Sequence, residues 1–251
     1  MNLVIWVIYA AVSLLAIIFT GLREFHMLQL NGYKTPEHSW WMKKNFKRYI
    51  LPIVLFIAQY GLLFTGTENA PGRFLLSALC CMNILLIIAN KPGKKFKKPL
   101  VYTARVKRML ITFSILIAVF FIFAALNLKY FPTFDGATDE RLRQLKFKRA
   151  MAFIFAGSAL YLTGILVPLS NLINKPIETA INNWYINDAK KKLKSMPNLH
   201  KVGITGSYGK TSMKFYLSEL LSSQYETLKT PESFNTPMGV TITVRRDLKP
   251  T

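Results

Sequence analysis

The chain has 251 residues, 51% of them apolar, with 33 Lys and Arg against 12 Asp and Glu, for a formal charge of +21. Apolar membrane spans separated by basic loops produce that combination, whereas a water-soluble domain rarely does. Nucleic-acid binding, the other common source of a strong positive balance, is disfavoured because the basic residues flank apolar runs instead of gathering in one patch.

Five apolar runs follow one another: 2–20, 49–64, 74–90, 109–126 and 150–169. Each is about 16–20 residues long, near the ~20 that cross about 30 Å of hydrocarbon as a helix. The first has no positive charge before it and no small-x-small site before Arg23, which predicts an uncleaved anchor and not a signal peptide. The second is the shortest and carries Pro52, Gln59 and Gly61, so it is expected to tilt into a bundle or lie half-buried. Region 1–175 is therefore expected to be an α-helical transmembrane bundle of about five spans. Cys80 and Cys81 are adjacent in the third, and with no other cysteine there is neither a disulfide framework nor a zinc site.

Lys and Arg in the loops predict the orientation. Arg23, Lys34, Lys43, Lys44, Lys47 and Arg48 lie between the first two spans, and Lys91 to Arg108 supplies a second basic loop. Between them, the loop at 65–73 holds only Arg73 beside Glu68. This pattern places the N-terminus outside and everything after the fifth span in the cytoplasm, as a multi-pass protein of the cell membrane. The loop at 128–149 dissents, since it should be external yet carries six basic residues from Lys129 to Arg149. The stretch 21–48 interleaves Phe25, Trp40, Trp41 and Phe46 with cations, which suits an interfacial segment anchored in the lipid membrane. Lys94-Lys95-Phe96-Lys97-Lys98 suits anionic lipid. His26, His38 and His200 are scattered, and few ionisable residues lie within the runs, so no proton relay is evident.

Residues 176–198 read as a juxtamembrane helix, 176–195, and a linker: Ile177, Ala180, Ile181, Trp184, Tyr185, Ala189 and Leu193 recur near helical spacing. Beyond it the pattern predicts a buried strand at 200–204, a helix at 210–223, a second strand at 225–230, a loop at 231–237 and a helical element at 238–248. The junction of the first strand and helix, Gly203-Ile204-Thr205-Gly206-Ser207-Tyr208-Gly209-Lys210-Thr211-Ser212, has the composition of a phosphate-cradling loop. Gly206 and Gly209 permit a tight turn that aims backbone N–H groups at phosphate oxygens. Lys210 adds a charge, Thr211 a hydroxyl for Mg²⁺, and the helix start a favourable dipole. The strict spacing fails, because Ile204 stands where its first glycine belongs.

The loop resembles the ATP loop of the Mur ligases and their folylpolyglutamate synthase relatives, whose Gly-x-x-Gly-Lys-Thr/Ser is matched by residues 206–211. Thr230-Pro231-Glu232-Ser233-Phe234-Asn235-Thr236-Pro237-Met238-Gly239-Val240 is similar to the Asn-rich segment of the ligase that adds D-alanyl-D-alanine to the muramoyl tripeptide. The likeness covers roughly 199–248. It implies that 199–251 is the N-terminal part of a Mur central ATP-binding domain. The fold class expected overall is thus mixed: a transmembrane bundle followed by the start of an α/β P-loop domain.

The resemblance implies an ATP-dependent acid–amino-acid ligase of peptidoglycan precursor synthesis. ATP phosphorylates a carboxylate, an amino group attacks the acyl-phosphate, and phosphate leaves. By the same resemblance Lys210 is the catalytic residue, Gly206, Ser207, Tyr208, Gly209, Lys210, Thr211 and Ser212 bind ATP, and Thr211 holds Mg²⁺. Thr230 and Asn235 are weaker candidates for the substrate side. The implied partners are an amino acid or dipeptide and a carboxylate acceptor, a muramoyl peptide among them. Three departures stand out. Tyr208 replaces the family's usual Asn. A membrane region stands where the family has its UDP-binding domain, which makes a membrane-held acceptor conceivable. The family's acidic metal ligand, modified lysine, adenine pocket and C-terminal domain would all follow residue 251, so the expectation is a longer native protein and a present chain that does not turn over alone. The alternatives are a membrane anchoring or interaction protein with a vestigial nucleotide loop, or a polyglutamate-type ligase, against which the 235–240 likeness argues.

Overall fold

The computed structural model describes residues 2–67, 69–90, 98–128, 139–231, 234 and 236–249. The chain divides into two compact units, Met1–Asn174 and Lys175–Thr251.

The first unit is built from α1 (Asn2–Leu30), α2 (Thr35–Lys44), α3 (Lys47–Ala58), a 3₁₀ turn at Gln59–Gly61, α4 (Leu62–Thr65), α5 (Ala70–Asn90), α6 (Ala104–Leu128), α7 (Asp139–Tyr161) and the first part of α8 (Thr163–Lys194). Helix is the expected answer for apolar runs in lipid, where each backbone N–H and C=O must be satisfied within its own segment. Four stretches are long and apolar enough to cross a membrane: Val4–Leu30, Lys47–Thr65, Ala70–Asn90 and Ala104–Asn127. A fifth exists if α7 and α8 count as one span, since the two together pass the same test but are bent by 67°. The fifth apolar run, 150–169, crosses the break between these two helices. α1 also continues ten residues past Thr20 as one helix, and the helix read at 176–195 is the continuation of α8.

The second half of α7 forms the centre of this unit. Ala150, Ala152, Phe153, Ile154, Ala156, Gly157, Ser158, Ala159 and Leu160 are all buried, and α1, α3, α4 and α6 pack against the helix. Small residues let helix backbones approach closely where lipid provides no hydrophobic drive between helices. Short polar side chains add cross-links. Asn83 of α5 donates to Ser13 of α1 at 3.2 Å and accepts from the Tyr161 hydroxyl at 2.9 Å, and Gln59 donates to Ser158 at 2.9 Å.

One end of the unit gathers the basic connections. The Arg23 guanidinium donates to Asn90 at 2.6 Å, His26 lies 2.8 Å from the Lys98 carbonyl, and Gln29 donates to the Val101 carbonyl at 2.8 Å. The start of α8 arrives at the same end: Asn171 donates to the Tyr33 carbonyl at 3.1 Å and accepts from Arg105 at 3.1 Å.

The second unit contains the rest of α8, α9 (Lys210–Ser222) and α10 (Pro237–Arg246). Among the described residues there is no strand, which overturns the expected start of an α/β P-loop domain at 199–251. The segments read as strands, 200–204 and 225–230, are irregular. A strand satisfies its backbone only through a neighbour, and a parallel sheet is stable only with both faces covered. Neither condition is met, because Val202 and Tyr225 are each 65% exposed and α9 buries no residue. α10 is better held. The Thr236 hydroxyl caps it by accepting from the Gly239 N–H at 3.1 Å. Arg245 donates to Asp188 of α8 at 2.6 Å, and Lys192 donates to the Arg245 carbonyl at 3.2 Å.

Candidate functional site

The glycine loop leads directly into α9. Gly206 has φ 150° and Gly209 has φ 73°, a left-handed conformation that disfavours any side chain, and Gly209 is the N-cap of α9. Lys210 is therefore the first residue of the helix, and Thr211 and Ser212 complete its first turn with it. The opening N–H groups of a helix have no preceding carbonyl to bond. Gly209 offers no side chain to cap them, so they are open to an anion and the helix dipole adds to their pull.

The Lys210 side chain is exposed, and its ammonium turns toward its own loop. It folds back over the loop, donating to the Gly206 carbonyl and, at 3.5 Å, to the Ser207 carbonyl. A positive charge, left-handed glycine backbone and uncapped helix N–H groups thus converge on a few residues. That arrangement suits the phosphates of a nucleotide. Ser207, Tyr208, Thr211 and Ser212 are exposed, Tyr208 at 97%. Mg²⁺ fits in a limited sense. Among the described residues no group of three or more His, Cys, Asp or Glu could hold a metal. The exposed Thr211 hydroxyl offers one oxygen ligand, and Mg²⁺ commonly takes most of its shell from phosphates and water.

Thr230 is drawn toward the same helix. Lys214 of α9 donates to the Thr230 carbonyl at 2.6 Å, with the Thr230 hydroxyl 3.4 Å away. The neighbouring Ser218 and Thr227 hydroxyls are 3.4 Å apart, and the Lys229 ammonium stands 4.5 Å from the centre of the Phe215 ring. Asn235 lies outside the described residues. Lys214 is absent from the sequence-derived site, although its spacing of four from Lys210 puts both on one helical face.

The sequence reading also misses a polar cluster in the first unit. Glu24 of α1 is buried, accepts from the Tyr49 hydroxyl, and has the His38 ring 3.9 Å away. Its sequence signal is an acid beside Arg23, just past the end of the first apolar run.

No protein-family model, no curated protein and no solved structure matches this chain.

Proposed function

We propose that the chain belongs to a membrane-bound ATP-dependent acid–amino-acid ligase of the Mur type, in which 206–212 hold the phosphates of ATP on the cytoplasmic side. The observation that carries this reading is the convergence at the mouth of α9 of the left-handed Gly209, the inturned Lys210 ammonium and the first N–H groups of the helix. The motif resemblance supplies the reaction class. Lys210 and the loop N–H groups orient the triphosphate and stabilise charge on the phosphoryl group passing to a carboxylate. Thr211 would hold Mg²⁺, which would supply further neutralisation of that charge.

The cytoplasmic assignment has two supports. ATP is a cytoplasmic substrate, and the chain leaves the first unit at Asn174, where α8 bonds Tyr33 and Arg105 among the basic connections. A protein of the cell membrane that conjugates an amine to a carboxylate is thereby well placed for a lipid-held acceptor such as a muramoyl peptide.

One observation favours a second reading, in which the loop binds a nucleotide without catalysis and the protein serves as a membrane anchor. α9 buries no residue, so among the described residues no packed core backs the loop. Incubating the native full-length protein in lipid nanodiscs with ATP, Mg²⁺, a muramoyl tripeptide and D-alanyl-D-alanine separates the two. The ligase reading expects ADP release and a new amide bond, both abolished by Lys210→Ala. ATP binding without either product supports the anchor.

A further inference from the structure

α2 joins the end of one candidate span, Leu30, to the start of the next, Lys47. It therefore lies at a membrane face whichever way the protein is inserted. Its two sides differ. His38 is fully buried toward Asn31 and Glu24. Trp40, Lys43 and Lys44 fall on the opposite side of the helix and are exposed, Trp40 at 63%, and Phe46 just beyond the helix is 55% exposed.

The cations on that side have no carboxylate of their own. Glu37 of α2 is engaged by Lys34 at 3.2 Å, and Glu24 is turned inward to Tyr49. Among the described residues, Lys43, Lys44 and Lys47 form no ion pair. Lys44 instead rests over the Trp40 ring at 5.0 Å from its centre, and Arg48 over Trp41 at 5.8 Å. Aromatic rings at headgroup depth beside unneutralised ammonium groups are complementary to a lipid phosphate above an acyl chain.

We propose that Trp40, Lys43, Lys44, Phe46 and Lys47 form a docking surface for anionic phospholipid headgroups. The lysines contact the phosphate, and Trp40 and Phe46 enter the acyl boundary. The buried His38 side keeps α2 in register on α1, so lipid binding reads the outer face alone. This inference is independent of the nucleotide loop.

The test is native mass spectrometry of the full chain in detergent, titrated with dioleoyl phosphatidylglycerol or dioleoyl phosphatidylcholine. The anionic lipid should bind at least about tenfold more tightly, and the joint change Lys43→Ala, Lys44→Ala, Lys47→Ala should weaken it on the order of a hundredfold. Phosphatidylcholine binding should not change. The equal charge removal Lys190→Ala, Lys191→Ala, Lys194→Ala should have no effect. Should the α2 variant fail to fold, raising salt on the unaltered chain must still release phosphatidylglycerol selectively. Equal binding of the two lipids, an equal loss from the α8 variant, no salt dependence, or displacement by inorganic phosphate alone would overturn the proposal.

Discussion

Tyr49 of α3 donates its hydroxyl to Glu24 of α1, 3.0 Å from each carboxylate oxygen. An acid this enclosed in a membrane helix is costly unless its oxygens are satisfied. Tyr49→Phe removes that donor and leaves Glu24 buried, which should cost about 1–3 kcal/mol of stability. Combining it with Glu24→Gln should recover part of the loss. Thermal unfolding of the four variants in one detergent measures the coupling, and additive losses would mean the two residues do not interact.

His38, on the interfacial helix α2, is held below its usual 6.5 by burial. Among the described residues its Nε2 has no hydrogen-bond partner, and Glu24 faces it at 3.9 Å. The unfolded chain takes up a proton near 6.5, whereas the folded chain does so only at lower pH. His38 therefore contributes stability above that value, and the contribution is lost as pH falls toward the folded value. The melting temperature should drop between pH 7.5 and 5.5, with a shallower drop in His38→Gln. Identical pH profiles would refute a role for His38.

Gly209 and Gly203 should respond differently to a methyl group. A Cβ at either position meets nothing within 4 Å, but only Gly209 has positive φ. Gly209→Ala then strains the N-cap by about 1–2 kcal/mol and should weaken ATP binding, while Gly203→Ala should leave it intact. Equilibrium binding to the two variants decides the point.

Lys214 ties α9 to Thr230. Lys214→Ala should free the 227–231 segment, seen as faster amide exchange there than in α10. Unchanged exchange would mean that Lys214 does not hold Thr230.

The helices long and apolar enough to cross a membrane were legible because each is apolar over its own length, a local property that needs no partner. Lys210–Ser222 and Pro237–Arg246 were legible for a related reason: a glycine precedes the first, and Thr236-Pro237 opens the second, both local punctuation. The strands read at 200–204 and 225–230 are segments of five and six residues, and such segments become strands only where a paired backbone exists. The bend at Leu162 and the pairing of Glu24 with Tyr49 were not legible either. That pair joins residues 25 positions apart, and no periodicity encodes it. Within the site, 206–212 was readable as a contiguous motif, whereas the approach of Thr230 to Lys214 is a contact across 16 residues.

The central claim is that the mouth of α9 holds nucleotide phosphates, and ATP binding to the purified full chain tests it most directly. Titration with a fluorescent ATP analogue and Mg²⁺ should give saturable binding that ADP displaces and adenosine does not. Lys210→Ala should weaken it by about tenfold or more, the loss of one charge-assisted contact. Absent saturation, or equal affinity in Lys210→Ala, would contradict the account.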